Sequence, residues 1–347
     1  MRSFQHSQTL DPVPGDVVAT LRRIDRAAGA EGRYADQLPQ LLDALREQAR
    51  VESVTASSAI EGVVVDDARV PKLVSGAAGG FRNRSEAEFA GYSSALDYLN
   101  QKDPGELSVG LILHLHRLLF SFAEGGGGHF KMDDNLVVDR LPDGSREVRF
   151  QPVSAVDTPF FMEELVSRSH AALQKAAPHP LIVTAAFALD FLCTHPFADG
   201  NGRVARLATS YLMDRTGYRV GRYVSLEQLI YDTKDDYYDA LGASTSSWFD
   251  DGRHDLWPWA RYLLERVGEA YGRFEERIAA GTSGGTKQDR VRDFVLLHAP
   301  ATFTIAAIRR AVPGVSDNTI RIVLAELKEK GSITNDGSGR GAAWRRL

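Results

Sequence analysis

The sequence predicts a mainly α-helical body that carries one β-hairpin as a flap, followed by a small α+β domain at its C-terminal end. Three observations lead there. Apolar residues recur three and four positions apart through most of the chain, the spacing that gathers them on one face of a helix. The helical run is interrupted by a glycine-rich loop and two short strand-like runs around a Pro-Asp-Gly turn. Near residue 280 a cluster of Gly, Ser and Thr sets off a tail whose charge differs from the rest.

A chain of 347 residues exceeds one ordinary domain, and two or three packed units are expected. Hydrophobic residues at 43% and charged residues at 25% exclude a disordered chain, a collagen-like repeat or a coiled coil. The start, "MRSFQHSQTLDPVPGD", lacks a basic flank followed by an apolar run, and no apolar stretch is long enough to span a bilayer. A cytoplasmic protein without a membrane partner is the expectation. The single cysteine, Cys193, excludes an internal disulfide, argues against a cysteine-built zinc site, and is expected to be a packing residue. The net charge of -5 conceals an asymmetry: from Thr286 onward eleven Lys/Arg face six Asp/Glu, a net of +5, which leaves -10 for residues 1–285.

The elements follow in order. "YADQLPQLLDALREQARVESVTASSAIEG" sets Leu38, Leu41, Leu42 and Leu45 on one face and stops at Gly62. "RSEAEFAGYSSALDYLN", "SVGLILHLHRLLFSF" and "DTPFFMEELVSRSHAALQK" repeat the helical pattern. Before the last of these come the loop "EGGGGHF" and a hairpin at about 135–150, within a flap at about 131–152. "HPLIVTAAFALDFLCTHPF" is apolar nearly all round and reads as the central buried helix, started by Pro180 and ended before Pro196. The next helix turns Val204, Leu207, Ala208, Tyr211 and Leu212 inward. The last helix of the body is expected to end near Ile278, with a linker at 279–286. The tail gives a helix, a short helix at about 304–311, a Pro-Gly turn, and a helix opened by Ser316 that carries Ile320, Val323, Leu324 and Leu327. Strand-like "SITND", a glycine turn and "AAWRRL" complete it. The units are therefore an N-terminal helical region at 1–105, a core at 106–278, and a C-terminal domain at 287–347.

Chemistry concentrates in "HPFADGNGRVAR", residues 195–206. A helix N-terminus preceded by glycines exposes unpaired backbone N–H groups at the positive end of the helix dipole, a ready anion site. Arg203 and Arg206, within the first turn and a half, adapt it to a polyphosphate. Asp199 offers the hard oxygen that Mg²⁺ takes when shared with phosphates, and His195 stands at the mouth, where a base belongs. Each residue alone has a plainer role: a hydrogen-bonding histidine, solvated arginines, an ordinary turn. Together they serve one task, holding and neutralising a phosphate chain while a nucleophile loses its proton.

"SSAIEG", residues 57–62, holds a second anomaly. Glu61 lies in the last turn of a helix capped by Gly62, where a carboxylate opposes the negative dipole end unless a cation meets it.

The string from His195 to Arg206 resembles the signature of Fic proteins, His-Pro-Phe-x-Asp/Glu-Gly-Asn-Gly-Arg-x-x-Arg, at every defined position. The resemblance extends to the hairpin, to "HPLIVTAAFALDFLCT" and to "SLEQLIYDTKDDYYDAL", covering most of residues 10–275. It implies AMP transfer from ATP to a Ser, Thr or Tyr hydroxyl of a target protein or of the chain itself. His195 would take the hydroxyl proton and Asp199 would hold Mg²⁺ across the α- and β-phosphates. Gly200, Asn201 and Gly202 would cradle the anion, Arg203 and Arg206 would bind the outer phosphates, and Phe197 would anchor the loop in the core. The hairpin would clamp a target segment as an added strand. Tyr237 and Tyr238 would reach the adenine pocket, although aromatic residues at that spacing also suit a core. The family's inhibitory helix, Ser/Thr-x-x-x-Glu-Gly/Asn, is matched at about 50–62 by Ser57, Glu61 and Gly62. The match implies that Glu61 pairs with Arg206 and holds ATP in a non-productive pose; some members also use this glutamate to orient a water that removes AMP.

The tail resembles a winged helix-turn-helix, in which the second helix enters a major groove with Asp317, Asn318 and Arg321 facing out. The same fold also serves protein docking and homodimer formation, and a net of +5 supports nucleic acid only moderately. Two classes therefore stay open: a self-restrained adenylyltransferase, and a DNA-binding regulator whose Fic-like body senses nucleotide. Within the enzyme class, transfer of another phosphate-containing group and removal of AMP are the alternatives.

Overall fold

The computed structural model describes residues 2–346 apart from 5–9, 11, 102–103, 141–145, 176–177, 250–253, 283–285, 300–301, 313 and 337–342. The Pro-Asp-Gly turn of the hairpin and the glycine turn before "AAWRRL" lie outside the described residues.

The protein is mainly α-helical. Its body opens with α1 (Gly15–Gln37) and α2 (Pro39–Ile60). The first of these is an element that the sequence reading passes over, yet Val17, Leu21 and Ile24 bury its inner face. Leu38 separates the two helices instead of beginning a shared one: proline disfavours the α region for its predecessor, and Leu38 sits at φ -135°, ψ 49°. Leu41, Leu42 and Leu45 are buried as expected. Next come α3 (Val70–Val74), α4 (Arg84–Gln101) and α5 (Val109–Leu119), the last capped by Ser108 Oγ accepting from the Leu111 N–H.

Strands β1 (Val137–Arg140) and β2 (Arg146–Phe150) form the antiparallel hairpin, with Val138 opposite Val148. After α6 (Thr158–Leu173), α7 (Pro180–Thr194) runs through the centre of the body, and every residue from Leu181 to Phe191 is buried. That matches its apolar sequence. The remaining helices are α8 (Asn201–Arg215), α9 (Leu226–Asp232), α10 (Lys234–Thr245) and α11 (Trp257–Thr282). The last runs past Ile278 into the stretch read as linker, because Ala279 and Ala280 are strong helix formers.

The C-terminal unit comprises α12 (Lys287–Asp293), a turn of π-helix at Phe294–His298, β3 (Thr302–Phe303), α13 (Ile305–Ala311), α14 (Asp317–Glu329), β4 (Ile333–Asp336) and β5 (Ala343–Arg346). Thr286 and Asp289 form a reciprocal capping box on α12. The strands pair in the order β3-β5-β4, all antiparallel. At two residues β3 is too short for its alternation to be read from sequence. This unit has its own cluster of buried residues, among them Val291, Val295, Ile308, Ile320, Val323 and Leu324. Ala44 of α2 packs against that cluster, and α13 packs against α2. No helix among the described residues is long and apolar enough to cross a membrane.

The close crossing of α4 and α5 depends on Gly91, where a Cβ would drive into the Leu119 carbonyl. Gly91→Ala is therefore expected to destabilise the fold by about 1–3 kcal/mol in urea unfolding, the usual cost of overpacking. Gly29→Ala, in open space on α1, serves as the opposite control and should stabilise by up to about 1 kcal/mol.

Candidate active site

The site is built where α7 ends and α8 begins. His195 follows Thr194 in the left-handed region at φ 48°, the one non-glycine residue with positive φ among those described. Its backbone N–H still bonds to Phe191 O at 2.9 Å. The ring Nδ1 lies 3.3 Å from Leu192 O. A carbonyl only accepts, so Nδ1 carries the hydrogen and the Nε2 lone pair is left for a proton. Burial, aided by the nearby Lys131 charge, pushes the His195 pKa down to about 4 against the Leu192 carbonyl, Glu61 and Asp199. The ring is neutral at physiological pH.

The loop after it is pinned from within. Phe197 is buried, its ring stacked 3.8 Å from that of His116 on α5. Asn201 Oδ1 accepts from Phe197 N at 2.8 Å and its Nδ2 donates to Phe197 O at 2.7 Å. Asn201 thus spends its side chain on the loop, contributing to the expected cradle by shaping it. Gly200 sits at φ 80°, and a Cβ there would come within 2.8 Å of Leu119 Cδ2 and 2.9 Å of Phe120 Cε2. Only glycine fits. The first-turn N–H groups of α8 have no helical carbonyl to bond, the kind of donor set that an anion takes.

Asp199 is the exposed member, with 55% of its side chain accessible. Oδ1 accepts from Gly200 N at 2.6 Å, and Oδ2 accepts from Arg84 Nη2 at 3.2 Å. A half-exposed carboxylate beside an anion cradle fits Mg²⁺, which binds through one or two carboxylates and completes its shell with phosphate and water. Among the described residues no three His, Cys, Asp or Glu side chains gather to hold a metal alone.

Both arginines are buried rather than solvated. Arg203 donates from Nη1 to Glu88 Oε2 at 2.6 Å, and its guanidinium lies 5.4 Å from the Phe120 ring centroid. Arg206 donates from Nε to Ser57 Oγ at 2.9 Å, and from Nη2 to Ser57 O at 3.0 Å and Glu61 Oε1 at 2.8 Å. Its Nη1 has no hydrogen-bond partner among the described residues. Ser57 and Glu61 end α2, and Gly62 at φ 76° turns the chain away. The cation demanded by a carboxylate at a helix C-terminus is therefore Arg206. Burial pushes the Glu61 carboxyl up, but Arg206, with help from Arg203 and His195, overcomes it and holds the group below its ordinary value. The Glu61 carboxylate lies directly over Gly202, where a Cβ would overlap Oε1.

The two tyrosines part company. Tyr237 is buried beside Arg206, its ring centroid 5.6 Å from Trp259 and 5.9 Å from Tyr262, so it is a core residue and does not reach open space. Tyr238 is half-buried, with the guanidinium of Arg149 on β2 lying 4.9 Å from its ring centroid.

Residues that the sequence reading missed complete the site. Lys131, at the base of the flap, donates to Asn135 Oδ1 at 2.8 Å and Thr194 O at 3.3 Å, and burial pushes its amine down to about 8. Asn135 Nδ2 donates to Phe197 O at 3.0 Å. Glu88 and His116 support Arg203 and Phe197 from α4 and α5. Arg84 and Glu88 pair at i, i+4, a spacing that could have signalled Glu88, whereas its contact with Arg203, 115 positions away, leaves no local signal.

The helical body, hairpin and histidine-to-arginine loop define a Fic-type domain. Residues 106–213 match the model of the Fic/DOC family, and the chain carries a domain of that family over this stretch. Among curated proteins, the protein adenylyltransferase Fic of Drosophila virilis is 30% identical over 134 residues, 38% of this chain and 25% of that protein. The protein of the same name from Nematostella vectensis is 24% identical over 218 residues, 61% of this chain and 44% of that protein. The chain thus spans less than half the length of either. Among solved structures, a Fic family protein from Desulfovibrio desulfuricans G20 aligns with TM-score 0.62 at 20% identity, covering 96% of this chain and 97% of that one. A Fic-domain-containing signaling protein from Bacteroides thetaiotaomicron VPI-5482 aligns with TM-score 0.59 at 20% identity, covering 72% of this chain and 94% of that one. These likenesses show the fold.

Titration of the His195 ring followed by NMR should give a midpoint near pH 4 in place of the ordinary 6.5. Because the unfolded ring takes up its proton at higher pH than the folded one, the stability from keeping it neutral is full above about pH 6.5 and declines as pH falls toward 4. A midpoint of 6.5 would contradict the burial of the ring.

Proposed function

We propose that the protein transfers AMP from ATP to a Ser, Thr or Tyr hydroxyl of a target protein, itself included, and that Glu61 restrains it. The observation that carries this reading is the Glu61 carboxylate on Arg206, above Gly202 at the N-terminus of α8, near a histidine whose Nδ1 contact to Leu192 O leaves the lone pair on Nε2. An internal anion occupies an anion pocket beside a poised base. The named activity of the curated relatives supports the same reading.

In the reaction, Nε2 of His195 takes the proton of the incoming hydroxyl. The oxygen then bonds to the α-phosphorus, the bond from that phosphorus to the bridging oxygen breaks, and pyrophosphate leaves. Gly200, Gly202 and the first N–H groups of α8 receive the phosphates, with Asn201 and Phe197 keeping the loop in shape. Arg206 binds the outer phosphates once Glu61 withdraws, and its unpartnered Nη1 is available to them. Arg203, held by Glu88, keeps positive charge beneath the loop. Asp199 would hold Mg²⁺, and the bound ion would neutralise charge on the leaving group. Tyr238, being half-exposed, is the better of the two tyrosines to meet adenine. Exposed Val138 and Val148 on the hairpin suit pairing with a target segment.

The chain is read as the units 1–105, 106–278 and 287–347, the last a winged helix-turn-helix. Asn318 and Arg321 are exposed on α14, whereas Asp317 is paired with Arg309 at 2.7 Å. That face favours a second reading, in which this unit binds DNA or forms a homodimer.

The test is to incubate wild type, Glu61→Gly and Glu61→Gly/His195→Ala with Mg²⁺ and ATP labelled at the α-phosphate, and to read intact mass. Label and an added AMP mass are expected in Glu61→Gly, with at least a tenfold excess over wild type on the scale of losing one charged contact, and none in the double variant. If no protein is labelled even with lysate present as target, the transfer reading falls and salt-dependent binding to a DNA sequence becomes the property to measure.

A further inference from the structure

A second cavity, of about 970 Å³, lies along α2 away from the nucleotide loop, and none of residues 195–206 lines it. The size suits a small organic ligand. Arg46, Arg50, Ser53, Ser57 and Glu61 recur three and four residues apart and so form a single stripe on α2. Ser57 and Glu61 hold Arg206, while Arg46, Arg50 and Ser53 line this cavity.

Most charges on its walls are already matched. Arg50 is paired with Asp97 through two hydrogen bonds of 2.5 Å and also donates to Val74 O. Arg222 is paired with Asp214 at 2.6 and 2.7 Å, and Arg46 with Asp43 at 2.7 Å. Glu227 differs. It is 4% exposed, lines the cavity, and has no cationic partner among the described residues. Its Oε2 receives one long hydrogen bond of 3.4 Å from Ser225 Oγ, which in turn accepts from Ser53 Oγ at 2.9 Å. Taking a carboxylate out of water without a counter-charge is costly, and in a cavity the missing cation can be a ligand's. Among its charged and polar lining the wall also offers an apolar set, Leu73, Val74, Leu96, Leu99 and Leu226. Phe81 and Phe122 add a pair of exposed rings 5.2 Å apart.

We propose that this cavity is a second ligand site, for a small primary ammonium with an apolar body. The ammonium sits on Glu227 and the body lies against the leucines and the aromatic pair. Such a ligand touches the helix that holds Arg206. The buried phenol of Tyr92, pushed up by burial and by Glu227 and pulled down by Arg206, lies within the field of both sites.

The full chain is titrated with phenethylammonium and, separately, with the neutral 2-phenylethanol, by calorimetry or ligand-observed NMR. Saturable one-to-one binding of the ammonium is expected, with the alcohol about tenfold weaker or worse, the scale of a charge-assisted contact. Glu227→Gln should bring the ammonium down to the level of the alcohol. Asp199→Asn should leave it unchanged, since that carboxylate belongs to the other site. Equal binding of the two probes, no saturable binding, or undiminished affinity in Glu227→Gln overturns the proposal. So does loss of binding in Asp199→Asn. If Glu227→Gln does not fold, the comparison of the two probes on wild type still decides.

Discussion

The buried guanidinium of Arg206 is the constraint around which the rest of the body is arranged. It stays charged at any accessible pH, so its environment must supply acceptors rather than neutralise it. The end of α2 supplies three: Ser57 Oγ, Ser57 O and Glu61 Oε1. The pairing solves two problems at once. A carboxylate at a helix C-terminus would be unfavourable alone, and a guanidinium in the core would be worse; together each meets the need of the other. Because an unmatched buried charge costs several kcal/mol, about 3–5 for a broken pair, this arginine always needs an anion. Under the proposed function the anion is Glu61 in the restrained state and a phosphate in the productive one. Exchange of one for the other leaves the cation satisfied throughout.

Such an exchange needs a pocket that keeps its shape while its occupant changes. The loop at 196–201 is held by contacts that involve no ligand: Asn201 bridges both polar groups of the Phe197 backbone, and His116 stacks on the Phe197 ring. Lys131 and Asn135 tie the flap to Thr194 and Phe197. Rigidity of this kind is what electrostatic catalysis requires, since donors that must first reorganise stabilise developing charge less. It also explains why two residues with ligand-type chemistry, Asn201 and Tyr237, face inward.

Local chemistry was legible in the sequence; long-range pairing was not, apart from Glu61 with Arg206, which the resemblance implied. The apolar run of α7, the strand pattern of the hairpin, and the glycine turn before α8 all depend on neighbours within a few residues, and each lies where spacing put it. Spacing alone sets Leu38 on a helix face although the following proline ends the helix there, and it ends α11 four residues early because a glycine and a threonine outweigh two alanines. Burial of Arg203 and Arg206 escaped notice because the partners, Glu88 and Ser57, are more than 100 positions away. Tyr237 and Tyr238 are adjacent in sequence yet differ in exposure, a distinction that only the packing of α11 against α10 creates.

Glu61 was legible for a different reason: it violated a local rule. A residue that is unfavourable in its own helix is retained where something distant compensates it, and so marks a long-range contact that composition alone cannot indicate. Glu227 is the same kind of residue one step further on. Where Glu61 has its cation, Glu227 has one long hydrogen bond from a serine and a cavity in front of it. Glu61 closes the stripe of α2 that begins at Arg46, Glu227 is linked to that stripe through Ser225 and Ser53, and two residues before Arg46 Ala44 packs against the core of the C-terminal unit. A single helix therefore touches a second core, a cavity with an unmatched acid, and the buried arginine of the candidate site. Any ligand that shifts α2 along its axis changes the distance between Glu61 and Arg206. A contact of 2.8 Å between charges, with the arginine buried, is where a small displacement has a large electrostatic effect.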